Sequence, residues 1–225
     1  MKIQSTKDIK HQHVCILLYG RAGVGKTRWC ATANNPLFLD CEKGLLSLQD
    51  CDVNYINIKS INDLRVMMPE LRKHLAESNH TLIVDSLTEL SDLSMEDIKR
   101  ELGNGQAKDA RKTYPMLYDK TIAVIRALQG LPCDVIFTAK NDCTDKGLNH
   151  PRVQGSRLRS ELCHYFDTII YLEGDEQNGI IGTTGVREHC EGKDRSGKLE
   201  QTIDVINTPL ALVIGQMKGI VDDTD

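Results

Sequence analysis

Short apolar runs alternate with longer amphipathic stretches along this chain, and that alternation predicts strands and helices in turn. Val14-Cys15-Ile16-Leu17-Leu18-Tyr19, Leu37-Phe38-Leu39-Asp40, Thr81-Leu82-Ile83-Val84-Asp85-Ser86 and Asp134-Val135-Ile136-Phe137-Thr138-Ala139 read as buried strands. Runs apolar at consecutive positions suit a parallel sheet covered on both faces. After the first run a short helix to about Ala33 stops at Asn34-Asn35-Pro36. Ser60-Ile61-Asn62-Asp63 opens a second helix, with Ile61, Leu64, Met68, Leu71 and Leu75 at helical spacing and a kink expected at Pro69. Leu117, Thr121, Val124, Ile125 and Leu128 form one face of a third, with Pro115 expected in its first turn. The polar stretches 93–113, with Lys108, Arg111 and Lys112, and 141–160 read as loops. Two more strands, Phe166 to Glu173 and Gly179 to Thr184, flank hairpin chemistry at Gly174-Asp175-Glu176-Gln177-Asn178. The predicted fold is α/β: a mainly parallel sheet with helices on both faces and a C-terminal antiparallel hairpin extension. A single domain over 1–225 is expected, with a polar lead-in at 1–13 and an acidic tail at 218–225.

Composition narrows the function classes. With 225 residues and 40% hydrophobic content, a full core is available. The 28 basic and 32 acidic residues give a net charge of −4, so contact with nucleic acid would need a local patch. Eight cysteines stand singly with no C-x-x-C pair, which argues against structural zinc and a disulfide framework and for reduced thiols. No apolar run approaches the roughly 20 residues of a membrane span, and residues 1–13 lack a signal-peptide core. A soluble, cytoplasmic protein is expected.

Directly after the first strand, Gly20-Arg21-Ala22-Gly23-Val24-Gly25-Lys26-Thr27 fits G-x-x-x-x-G-K-[ST], a Walker A phosphate loop in its strand-to-helix setting. Its glycines reach backbone angles closed to other residues, so successive N–H groups can face one concavity and bind polyphosphate oxygens. Lys26 adds a point charge. Thr27 opens a helix whose dipole favours the anion and offers a hydroxyl to the magnesium of a nucleoside triphosphate. These eight residues and Arg28 form the expected nucleotide cradle. Asp85 ends an apolar strand in the manner of a Walker B element and is expected to hold the magnesium, or its water, together with Thr27. Asp40 and Glu42 leave the carboxyl end of another strand, where open α/β sheets bind ligands.

These residues resemble a known family. Phe38-Leu39-Asp40-Cys41-Glu42 is similar to the F-x-D-x-E of RecA, and Leu82-Ile83-Val84-Asp85-Ser86 to its Walker B strand, including the serine. Phe166 to Asp175 resembles the V-D-T-V-L-Y-F-E-G-D strand of RadA. Lys193-Asp194-Arg195-Ser196-Gly197 resembles RadA's K-N-R-F-G and the K-x-R-x-G of DnaB-type ring helicases. The likeness covers about residues 14–200, and in compactness the chain is similar to phage-encoded RecA-like core ATPases of single-strand annealing and recombination.

The resemblance implies an ATPase using ATP and Mg2+. It makes Glu42 the base that activates water; Asp40, on its own position, is expected to fix the local turn or to support the site from behind. Lys140 stands where RecA carries a glutamine that senses the γ-phosphate, and offers charge but no amide. Lys193 and Arg195 resemble a pair that reaches a neighbouring subunit's γ-phosphate, which implies a homo-oligomer. The stretch 140–159 corresponds to the DNA-binding loops. Its five basic residues, Lys140, Lys146, Arg152, Arg157 and Arg159, against Asp142 and Asp145 leave an excess of +3. Single-stranded DNA is the implied partner, with a single-strand DNA-binding protein as a further one. Two other readings stay open: a nucleotide-switched assembly ATPase that does not touch DNA, and a P-loop kinase, which would bring lid arginines.

Overall fold

The structure is a computed structural model that describes residues 13–106, 109–175 and 179–220. Most of the lead-in, Lys108, the turn residues 176–178 and the tail from 221 onward lie outside the described residues.

The sheet is built around β1 (Cys15–Gly20), in which every residue is buried. Cys15, Leu17 and Tyr19 enter one core, and Ile16 and Leu18 the other. Burial on both faces is the reason the run is apolar throughout. The remaining strands are β2 (Pro36–Asp40), β3 (Asn54–Asn57), β4 (Thr81–Asp85), β5 (Asp134–Cys143), β6 (Asn149–Pro151), β7 (Thr168–Asp175), β8 (Gly179–Thr183), β9 (Lys193–Asp194) and β10 (Thr202–Asp204). Their order is β10-β8-β7-β1-β5-β4-β2-β3, with β6 paired to β5 and β9 to β7. From β7 to β3 the neighbours are parallel, while β8 and β10 are antiparallel. This is the α/β layout expected from the alternating pattern, with its C-terminal hairpin extension.

Helices cover both faces. On one side lie α2 (Ile61–Glu77), α3 (Leu87–Gln106), α4 (Ala110–Gln129) and α5 (Ser156–Glu161); on the other lie α1 (Lys26–Cys30) and α6 (Leu210–Lys218). The Ser60 hydroxyl caps α2 by accepting from the Asp63 N–H at 3.1 Å, and the helix continues through Pro69. Trp29 is buried under α6, and its indole N–H donates to the Thr208 carbonyl at 2.8 Å. Packing, not base stacking, is the fate of the lone tryptophan.

Three expectations are corrected. The stretch 93–113 is largely helical: Met95 and Ile98 of α3, with Leu102 beside them, pack on Leu117 of α4. Ser91 and Ser94, polar in sequence, are buried because their hydroxyls donate to the carbonyls of Thr88 and Leu90. Asp109 caps α4 by accepting from the Arg111 N–H, so Pro115 lies inside the helix, beyond its first turn. The polar stretch 141–160 is no open loop. β5 continues past Lys140 to Cys143 and returns as β6, pairing Asn141 with Pro151 and Cys143 with Asn149, before α5 begins.

Candidate nucleotide site

The parallel register brings the key carboxyl ends side by side. Gly20 pairs with Lys140 and Asp40 with Asp85, while Val84 pairs with Phe137, so Asp85 lies beside Thr138. From Gly20 the chain turns through Arg21, Ala22, Gly23, Val24 and Gly25 into Lys26. Gly23 and Gly25 hold φ of 79° and 96°, in the left-handed region where a side chain is strained. Gly20 is needed for a different reason: a Cβ there would collide with the Leu172 carbonyl oxygen of β7. The Lys26 ammonium bends over the loop and donates to the carbonyls of Gly20 and Arg21, each at 2.9 Å. Burial lowers its pKa, partly opposed by the negative charges of Asp85 and Glu42.

Two members of the expected cradle contribute differently. α1 has only five residues, too short for a full macrodipole, which leaves the loop amides and Lys26 as the candidate anion donors. Arg28 turns its guanidinium away, donating to both carboxylate oxygens of Asp50 and to the Ser47 carbonyl.

The donor set at Asp85 fits magnesium. Its carboxylate is buried, and burial raises its pKa although Thr138 and Thr27 both donate to it. The Thr27 hydroxyl does so at 2.9 Å, and the Thr138 hydroxyl bonds to the other oxygen. A desolvated carboxylate beside a hydroxyl is a hard-oxygen pair of the kind that holds Mg2+ carried on a nucleotide. No cluster of three or more His, Cys, Asp or Glu suited to a metal occurs among the described residues.

Glu42 is joined to this centre through the residue after Asp85, Ser86, whose hydroxyl donates to Glu42 Oε1 at 2.6 Å. Asp40 is buried and accepts from the N–H groups of Lys43 and Gly44, closing the turn that presents Glu42. Lys140 Nζ stands 3.3 Å from Glu42 Oε1 and 2.5 Å from Glu89 Oε1. Thr88, Glu89 and Thr138 are not singled out by the sequence pattern. Their signal there is faint: polar residues at the start of a helix, and a single threonine in an apolar strand.

The other sequence candidates lie elsewhere. Lys193 pairs with Ile169, toward the opposite end of β7 from Leu172, and its ammonium donates to the carbonyls of Cys163 and Phe166. Arg195 donates to the His164 carbonyl and lies 3.7 Å from Asp167. Neither joins its own chain's phosphate loop. The basic excess of 140–159 also divides. Lys146 shares the β5–β6 turn with Asp145, Arg152 follows β6, and Arg157 and Arg159 lie on α5. Arg152, Arg157 and Arg159 are all exposed, but Arg157 stacks 4.0 Å over the Tyr118 ring and pairs with Glu161.

The chain is similar to several known proteins. Residues 12–196 match the AAA domain family AAA_24. A curated relative, the SPbeta prophage-derived uncharacterized protein YorG of Bacillus subtilis (strain 168), is 25% identical over 175 residues, covering 74% of this chain and 53% of its own. The chain thus spans about half the length of that relative. Among solved structures, a KaiC-like protein of Pyrococcus horikoshii OT3 superposes with a TM-score of 0.44 at 16% identity, over 75% of this chain and 76% of that one. An ATPase from the type III secretion system of pathogenic bacteria gives 0.46 at 16% identity, over 71% and 51%. No helix among the described residues is long and apolar enough to cross a membrane. Matched by this family over most of its length, the chain belongs to the AAA domain family of P-loop ATPases.

Proposed function

We propose that this protein hydrolyses ATP on single-stranded DNA, in phage-type annealing or recombination. The observation that carries the hydrolytic part is the Glu42–Ser86 hydrogen bond, which ties the Glu42 carboxylate to the residue that follows Asp85. Phosphoryl transfer to water has a dispersed anionic transition state, so catalysis is positioning and charge stabilisation. The loop amides and Lys26 hold the β- and γ-oxygens of ATP, and Thr27 and Asp85 are the residues that would hold Mg2+, which would further neutralise phosphate charge. Glu42 takes the proton of the attacking water through Oε2, since Oε1 already accepts from Ser86. Lys140 contributes positive charge at the end of β5.

The DNA part is supported by the resemblance to RecA-like annealing ATPases, by a relative of prophage origin, and by the exposure of Arg152 and Arg159. Phosphate release measured with and without single-stranded DNA tests it directly, stimulation being expected. A rate indifferent to DNA, with no detectable binding, would favour the nucleotide-switched assembly reading. Arg152→Ala with Arg159→Ala is expected to weaken binding and flatten its salt dependence by about 0.7 in log-log slope for each phosphate no longer neutralised. Arg157 is left in place because its guanidinium packs on Tyr118. Unchanged affinity and slope in the folded double variant would move the DNA site off this surface.

The same reading assigns Arg195 to a neighbouring subunit's nucleotide in a homo-oligomer. Glu42→Gln and Arg195→Ala each disable every site in a pure assembly, but mixing them restores some interfaces with both residues intact. Partial recovery of hydrolysis is expected on mixing. Demonstrated co-assembly with no recovery would assign Arg195 to the interactions with His164 and Asp167 that it makes within its own chain.

A further inference from the structure

Lys140 is shared between two carboxylates, and its backbone is anchored on both sides. Its Cα is in register with Gly20 in the sheet, and its N–H donates to the Thr88 hydroxyl at 3.0 Å. That hydroxyl in turn donates to the Arg152 carbonyl at 2.9 Å, so Thr88 ties the root of the β5–β6 hairpin to the first turn of α3. The Arg152 N–H closes the link by donating to the Lys140 carbonyl at 2.8 Å. Only the side chain of Lys140 is left to swing. It favours Glu89 at 2.5 Å over Glu42 at 3.3 Å.

We propose that Glu89 is a positioning residue for hydrolysis: by holding Lys140 the more closely, it keeps that ammonium from closing a full ion pair on Glu42 and so leaves Glu42 able to accept a proton. The proposal rests on the reading of Glu42 as the base. Glu89 is well placed for the task, since it is three residues beyond Ser86 and its own N–H approaches the Ser86 hydroxyl at 3.4 Å. The Ser86 hydroxyl and the Lys140 ammonium both address Glu42 Oε1. Without Glu89 the ammonium has Glu42 alone of this pair within reach, and a carboxylate bound by a full positive charge is a poorer proton acceptor. The raised pKa of Lys140, caused first by its bond to Glu89, agrees with this division.

The test is a double-mutant cycle in the full chain. Glu89→Ala is expected to lower kcat about tenfold while leaving KM for ATP near its parent value, because the phosphate cradle is untouched. In a Lys140→Ala background the same substitution should cost almost nothing, since there is no ammonium left to redirect. A crystal structure of Glu89→Ala gives a readout independent of activity: Lys140 Nζ should move onto Glu42. An equal fall in both backgrounds would assign Glu89 a merely structural role and overturn the proposal. An unmoved ammonium, or a parent rate in Glu89→Ala, would do the same. Glu42→Gln separates the two levels of the argument. If that variant hydrolyses ATP at the parent rate, the base assignment falls and takes this proposal with it; if it is slow while Glu89→Ala is not, the proposal falls alone.

Discussion

Lys26→Ala is expected to abolish ATP hydrolysis and weaken ATP binding. The lysine ammonium reaches over the phosphate loop and is held there by two carbonyls of that loop at 2.9 Å. Those bonds show where its charge is delivered. Alanine removes that charge while leaving the glycine-dependent loop path intact, so the residual binding reports what backbone amides and Thr27 achieve without it. A fall in kcat of about a thousandfold or more is expected, on the scale of losing a main electrostatic contributor at a phosphoryl-transfer site. Nucleotide affinity should drop by roughly tenfold, about 1.4 kcal/mol. Titration with a fluorescent ATP analogue and a phosphate-release assay on the same preparation check both. Parent-level hydrolysis in the folded variant would remove the loop from the catalytic account.

Glu42→Gln separates binding from chemistry. The amide is nearly isosteric with the carboxylate, and its oxygen can still accept from the Ser86 hydroxyl, so the turn closed by Asp40 should survive. What it loses is the capacity to take a proton. Hydrolysis is expected to slow by about 10² to 10⁴-fold, the usual contribution of a positioned general base, with ATP affinity retained. A variant that binds and hydrolyses at the parent rate would exclude Glu42 as the base. A variant that loses binding as well would mean that the Glu42–Lys140 pair supports the cradle rather than the water.

How legible all this was depended on whether a segment's role left a one-dimensional trace. β1, β2, β4 and β5 are buried on both faces, so their uninterrupted apolar runs announced them. The phosphate loop was legible for a different reason: its glycines are dictated by backbone angles at Gly23 and Gly25 and by the close approach of Leu172 to Gly20. β3 left no such trace, since Asn54, Tyr55 and Asn57 are exposed on a sheet edge. The first turns of α3 hid for the opposite reason, because Ser91 and Ser94 are buried while keeping polar side chains satisfied within the helix. In the site, Asp85 and Glu42 were visible because each ends or follows a strand. Glu89 and Thr88 were not, because their importance comes from Lys140, about fifty residues away in sequence and adjacent only once β5 lies beside β4.

The central place of β1 has a consequence for the order in which the chain acquires its activity. β1 and the phosphate loop are made before the segments that close on them: the Val14 N–H is satisfied by Asp134 and the Cys15 N–H by Asp167, partners 120 and 152 residues further on. Gly25 lies against Ile180 of β8, later still. Until those segments have been synthesised and have closed on it, β1 lacks both neighbours and the loop lacks its wall. Contacts of such long sequence separation form late and slowly, because the entropy of closing the chain must be met before they give anything back. A motif read at residue 20 is therefore walled in only when the chain has passed residue 180, so on the ribosome the phosphate loop takes its shape from segments made long after it.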